Sequence, residues 1–222
     1  MCKVDFPLII FFDVLGTIVE WRCCIANELN ATARMALQDQ VRYLSADVRA
    51  HAYNTSKPFV SGLFNEDDLK YLTLAWHRLD LYCDSVPGLS LLSTKFLTST
   101  LSNGNVKLLE DLQEHNSLPF KHITSAEHFG AYKPSPEVYH GAARRFGFRN
   151  LQCCLVAAHL EDLHAAKKCG FQTIYLERDL EEAWESRDIA RAREEGFVDL
   201  WVEVGGSGLI EVARYFGIER GS

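Results

Sequence analysis

Asp13, Gly16 and Thr17 close an apolar run, Leu8-Ile9-Ile10-Phe11-Phe12, and together have the makings of a nucleophilic centre. A carboxylate attacks when it is ionised and firmly held. Gly16 lets the backbone turn tightly, and the Thr17 hydroxyl can hold that turn or meet a ligand. The same Asp-x-x-Gly pattern also fits an Asx-turn that ends a strand. Three more groups follow along the chain. Ser102-Asn103-Gly104 offers a hydroxyl, an amide and backbone N–H groups at a helix start, which suits an anion and equally suits a helix cap. Lys133 sits in a loop held by Pro134 and Pro136; it reads as a surface charge, or, aimed at Asp13, as a cation that lowers the aspartate's pKa by about 1–3. Asp162 follows Val156-Ala157-Ala158-His159-Leu160-Glu161 and fits a helix N-terminus, where the dipole favours an acid.

Those groups need elements to position them, and hydrophobic patterning supplies the elements. The run before Asp13 shows no polar alternation and reads as a strand buried on both faces. Trp21 to about Leu37 carries apolar residues at helical spacing, residues 45–55 read as a second helix with Ser45 as N-cap, and Asn65 opens a third that carries Leu69, Leu72 and Trp76. The stretch 21–84 is therefore expected to be helical, with no strand. From Pro87 strands and helices alternate. The strands expected are Phe96–Leu101, a short His122–Ser125, Cys153–Ala157, Gln172–Leu176 and Val198–Val202. The helices are Val106–His115, Ser135–Phe146, about 161–169, a charged surface helix Glu181–Glu195, and Leu209–Phe216. Such alternation specifies an α/β fold, a doubly wound parallel sheet covered on both faces, which places ligands at the carboxyl ends of its strands. Residues 1–20 and 85–222 would form that core, and 21–84 a small helical insertion after the first strand, placed to roof its carboxyl end.

With 222 residues the chain suits one sizeable domain with a small insert, burying about 70 % of its unfolded surface. A net charge of −7 argues against nucleic acid or an anionic membrane as partner. The N-terminal apolar run is interrupted by Asp13 and reads as neither a leader nor a membrane span. Seven cysteines without a Cys-x-x-Cys pair read as reduced, mostly buried thiols of a cytoplasmic protein, with no zinc site.

In order and spacing, Asp13 with Gly16-Thr17, then Ser102-Asn103, then Lys133, then Asp162 resemble the four motifs of the haloacid dehalogenase-like hydrolase superfamily, with the helical block matching its cap. The resemblance covers essentially the whole chain and implies a Rossmann-like core. The superfamily's phosphatases place a second aspartate two residues after the nucleophile and hold Mg²⁺ with a Gly-Asp-x-x-x-Asp run; here those positions are Leu15 and Ala158. A single additional carboxylate holds Mg²⁺ poorly. Both changes resemble the type II 2-haloacid dehalogenases, which need no metal or other cofactor. So do Leu101-Ser102-Asn103-Gly104-Asn105 and Lys133-Pro134 with Tyr139 six residues after the lysine.

The resemblance implies a small carboxylic acid as substrate and names roles for particular residues. Asp13 would be the nucleophile that forms an ester, Lys133 its orienting cation, and Asp162 the group that positions or activates water. Thr17 and Asn103 would hold the nucleophile and its loop. Ser102 would bind the substrate carboxylate, Tyr139 would support the site, and Leu15 would lie against the substrate. The chain departs from the family's serine and asparagine at Ala157 and His159; His159 would donate a hydrogen bond, act as a base, or sit satisfied at a strand end. The cap is expected to be short by about one helical hairpin near 54–64, without the family's halide-binding arginine in its usual context. Exposed Trp76 or Tyr53 on a reduced cap would favour a homodimer.

Overall fold

The computed structural model describes residues 6–43 and 63–219, with backbone alone for 38–43. Ile9–Phe12 forms β1, and all four of its side chains are fully buried. Successive side chains of a strand point to opposite faces. Phe11 meets the rings of Phe146 and Phe171, whereas Phe12 meets Phe120. Burying each such ring contributes about 1.5–3 kcal/mol, so the strand that presents Asp13 is anchored from both sides.

Two parallel neighbours flank β1. On one side lies β4 (Leu97–Thr100) and on the other β5 (Cys153–Ala157), with Phe12 opposite both Thr100 and Val156. The sheet continues through β6 (Gln172–Leu176) to β7 (Leu200–Val202), giving five parallel strands in the order β4-β1-β5-β6-β7. A separate antiparallel ribbon pairs β2 (Val19–Glu20) with β3 (Asp80–Leu81). This corrects the expectation that 21–84 holds no strand: two residues are too few to leave a periodic signal.

The described residues form eight α-helices. In chain order they are α1 (Trp21–Tyr43), α2 (Glu66–Thr73), α3 (Ser85–Leu92), α4 (Val106–Asn116), α5 (Pro136–Arg145), α6 (Leu160–Lys168), α7 (Ser186–Glu195) and α8 (Leu209–Tyr215), of which α1 and α2 belong to a separate unit. Val138, Tyr139, Ala142 and Ala143 of α5 and Leu163 and Ala166 of α6 pack with Ile9, Phe11 and Leu155 in one apolar cluster. No helix among the described residues is long and apolar enough to cross a membrane.

Three further expectations are corrected. His122–Ser125 makes only isolated bridges, Ser99 with His122 and Ser102 with Ser125, and is not a strand. Glu181–Glu195 is not one surface helix: α7 begins at Ser186, and Glu181 is a buried loop residue with 3 % exposure. Among the described cysteines only Cys153 and Cys154 are buried, while Cys23 and Cys83 are exposed, so the thiols are not mostly buried. Burial pushes the Cys153 thiol up to about 12, which keeps it protonated and unreactive.

The described residues form two compact units, Trp21–Leu79 and the remainder. In the smaller, Asn65 caps α2 through a reciprocal pair with Asp68. Trp21 stacks on Trp76 at 5.6 Å, and Arg78 bonds Glu28 at 3.1 Å while lying over the Tyr71 ring. Trp76 is thus half-buried rather than exposed. The expected helix at 45–55, Tyr53, and most of the expected cap shortening near 54–64 lie outside the described residues.

Candidate active site

Asp13 leaves β1 at its carboxyl end and donates its backbone N–H to Val156 O on β5. The turn that follows is closed by Thr17, Ile18 and Val19 N–H groups converging on Val14 O. Gly16 stands at φ +79°, a conformation that disfavours any side chain. The Thr17 hydroxyl, fully buried, donates to Asp13 Oδ2 at 2.9 Å and accepts from Ala158 N–H at 2.9 Å, so one side chain ties the β1 and β5 loops together. Leu15, half-buried, bridges to Val19.

Lys133 reaches the same carboxylate from a distant loop. Its Nζ donates to Asp13 Oδ1 at 2.8 Å and to Asp162 Oδ2 at 2.5 Å, with only 6 % of the side chain exposed. Tyr139, fully buried on α5, donates its hydroxyl to Asp162 Oδ1 at 2.6 Å. Asp162 itself lies in the first turn of α6, where the helix dipole favours a carboxylate. His159, the residue before that helix, places Nδ1 3.2 Å from Asp13 Oδ2.

Burial raises the pKa of each carboxyl, and local charges decide the outcome. For Asp13 burial is outweighed by the Lys133 ammonium and by the His159 hydrogen bond and charge, so its carboxyl lies well below the usual range. For Asp162 burial, joined by the Asp13 charge, prevails over Lys133, and its pKa is raised. Lys133 is raised, because the two carboxylates overcome its burial. Tyr139 is pushed far up by burial and by Asp162, which leaves it a committed donor. Two neighbouring carboxyls driven apart in this way are fitted for different tasks. The ammonium fills the space between them; among the described residues no group of three or more His, Cys, Asp or Glu is arranged to hold a metal ion.

Ser102 and Asn103 follow β4, and Leu101 N–H bonds Phe12 O at 2.7 Å beside Asp13. The helix start there is less open than expected. Gly104 N–H is taken by Ser102 Oγ, Val106 N–H by Glu127, and Leu108 N–H by Asn105. The Asn103 amide bonds both the N–H (2.7 Å) and the carbonyl (3.1 Å) of Lys133. It fixes the backbone from which the lysine extends.

Sequence reasoning missed the loop after β6. Arg178 Nε donates to Thr17 O at 3.1 Å, and its guanidinium forms a two-pronged pair with buried Asp84 at 2.8 and 2.9 Å. Glu181 Oε2 lies 3.5 Å from His159 Nε2. Glu182 accepts Leu160 N–H at 2.8 Å, capping α6. The available signal was position: this loop leaves the same sheet edge as Asp13.

Comparison with known proteins identifies the family. The family model described as haloacid dehalogenase-like hydrolase matches residues 90–176. Among curated proteins, (S)-2-haloacid dehalogenase 1 of Pseudomonas sp. (strain CBS-3) is 34 % identical over 121 residues; the match spans 53 % of this chain and 53 % of that enzyme, about half of each. (S)-2-haloacid dehalogenase 4A of Burkholderia cepacia is 27 % identical over 188 residues, covering 75 % of this chain and 81 % of the other. A crystal structure of an L-2-haloacid dehalogenase superposes with a TM-score of 0.72 at 30 % identity, over 96 % of this chain and 100 % of that one. With that match and with Asp13, Lys133 and Asp162 gathered at one sheet edge, the chain belongs to the haloacid dehalogenase-like hydrolases.

Proposed function

We propose that this protein is a metal-independent hydrolase that cleaves the carbon–halogen bond of a small 2-haloalkanoic acid and releases the 2-hydroxy acid. The observation that carries the reading is one carboxylate, Asp13, locked between Lys133, Thr17 and His159, with apolar Leu15 two positions on. Halide is a weak base and leaves without a proton, so attack at C2 needs an ionised carboxylate and no neighbouring acid. Asp13 meets the first need, because its low pKa keeps it ionised throughout the neutral range, and halide departure asks for no acid. In the family's phosphatases an aspartate two residues after the nucleophile protonates the leaving alkoxide, and that position here is Leu15.

The reaction then runs in two steps. Asp13 attacks C2, the carbon–halogen bond breaks, and halide departs, leaving an ester on Asp13. Water attacks the aspartyl carbonyl carbon, giving up a proton to Asp162, whose raised pKa suits an acceptor. Lys133, at Oδ1, stabilises the negative charge that develops on that oxygen. Ser102 binds the substrate carboxylate, Leu15 lines the alkyl side, Tyr139 fixes Asp162, and Asn103 holds Lys133 in line. The similarity to (S)-2-haloacid dehalogenases supports this assignment.

The test is halide release from 2-chloropropionate, run beside a generic phosphate ester with and without Mg²⁺, using Asp13→Asn as control. Halide release that needs no metal and disappears in the variant is expected. Metal-dependent phosphate release lost in the same variant would sink the reading.

A further inference from the structure

Hydrolysis of the Asp13 ester expels the alkoxide of a 2-hydroxy acid, a far stronger base than halide, and that oxygen must be protonated as it leaves. The groups around Asp13 can be taken in turn. Leu15 carries no proton. Lys133 is held between two carboxylates at 2.8 and 2.5 Å, and losing its proton would set those charges against each other. Tyr139 is committed to Asp162. Thr17 is a weak acid, fully buried, with its oxygen already accepting from Ala158. His159 remains. Its Nδ1 lies 3.2 Å from Asp13 Oδ2, and 34 % of its side chain is exposed, against 6 % for Lys133 and 9 % for Asp13. It is the ring through which this carboxylate can exchange protons with solvent.

Behind the ring stands a second carboxylate. Glu181 Oε2 is 3.5 Å from His159 Nε2, with 1 % of its side chain exposed. Its place is built into the nucleophile's own turn, since a Cβ at Gly16 would fall 2.2 Å from Glu181 Oε2. A glycine at 16 therefore clears the room that Glu181 occupies beside the imidazole.

Resting on the dehalogenase reading above, we propose that His159 is the general acid of ester hydrolysis and that Glu181 is the positioning residue that holds it charged and aimed at Asp13 Oδ2. The ester forms at Oδ2, while Oδ1 stays with Lys133. Water adds to the aspartyl carbonyl carbon and one of its protons goes to Asp162. The tetrahedral centre collapses, the bond from that carbon to Oδ2 breaks, its electron pair stays on Oδ2, and His159 Nδ1 supplies the proton that completes the 2-hydroxy acid. Asp13 is left as a carboxylic acid and returns its proton to His159, while Asp162 sheds its own to solvent as the one proton of the net reaction. The groups facing His159 are Asp13, Glu181 and Asp162, which favour the imidazolium, and Lys133, which opposes it. Burial works against the charged ring, but the Asp13 hydrogen bond and charge outweigh it, and the His159 pKa is raised.

The experiment follows 2-chloropropionate through single and multiple turnovers in the full chain, with halide measured by rapid quench and covalent state by intact-protein mass. His159→Phe keeps the ring's shape but has no proton to release. It is expected to free a first equivalent of halide, accumulate protein carrying the propionate ester, and turn over about 100-fold more slowly. Glu181→Gln keeps the shape and removes the charge; the alkaline limb of its kcat profile is expected to move to lower pH. Steady-state turnover by His159→Phe at the wild-type rate, or equal loss of the first equivalent and of turnover, would overturn the role of His159. An unmoved alkaline limb in Glu181→Gln would overturn that of Glu181. If the wild-type protein frees no halide and Asp13 stays unmodified, the parent reading has failed and this one falls with it.

Discussion

At the scale of single residues, the site separates two carboxyls that share one cation. Asp13 is held ionised by Lys133 and His159, and Asp162 is kept readier for a proton by burial and by Asp13's own charge. Thr17 anchors the first of them through geometry, because its hydroxyl spans Asp13 Oδ2 and Ala158 N–H at 2.9 Å each. Thr17→Val, nearly the same shape, leaves a buried N–H without its acceptor and frees one side of the nucleophile. We expect a stability loss of about 1–3 kcal/mol in urea unfolding, together with slower release of the first halide. Asn103→Ala tests a different link, since both amide bonds end on the Lys133 backbone. Turnover should fall about tenfold or more while the melting temperature barely moves, because Asn103 is exposed and buries little. Equal losses of stability and turnover would assign it a merely structural place.

At the scale of elements, the loop after β6 is the part that composition hid. Charged residues are mostly solvated, so Glu181 and Glu182 read naturally as the start of a surface helix. In the fold the chain instead turns back across the sheet edge, and three of its residues grip the loops that carry chemistry: Arg178 on Thr17 O, Glu181 on His159, and Glu182 on Leu160 N–H. The strands were easier to read. A continuous apolar run marked Cys153–Ala157 to the residue, because a buried parallel strand has no polar face to blur it, and Gln172–Leu176 also matched to the residue. Asp13, Lys133 and Asp162 were readable as types at strand or loop ends, whereas their partners depended on contacts with no local signature. The buried Arg178–Asp84 pair gives this element its own prediction. Asp84 also accepts Leu209 N–H at 2.8 Å, and Arg178 lies over the Tyr82 ring at 4.0 Å. Arg178→Met strands a buried carboxylate and should cost about 3–5 kcal/mol; the Arg178→Met, Asp84→Asn double variant should lose less than the two single losses together, as coupled partners do.

At the scale of the molecule, the strand order explains why residues so far apart in the chain meet. The path leaves β1 for β4 on one side and then crosses back to β5 on the other, so the carboxyl ends of these three strands surround the point where the winding changes direction. Asp13, Ser102 and His159 each follow one of those strands, and Lys133 closes the ring. The lysine is therefore the residue on which local chemistry and global stability meet. Asp13 has a folded pKa below its unfolded value near 3.8, so it contributes stability that is present above about pH 4 and is lost as the medium becomes more acid. Lys133 is raised above 10.5, and its contribution is full below that value and disappears only at higher pH. Replacing it with methionine removes the counter-charge from Asp162, so that burial and the Asp13 charge push this carboxyl further above its unfolded value, while Asp13 keeps the His159 hydrogen bond. A carboxyl so raised costs stability increasingly as pH climbs from its unfolded pKa towards the folded one. Urea unfolding of Lys133→Met should accordingly show a deficit of about 3–5 kcal/mol near pH 8 that shrinks towards about pH 5. A deficit independent of pH over that interval would mean that Lys133 stabilises by packing rather than by holding two carboxylates together.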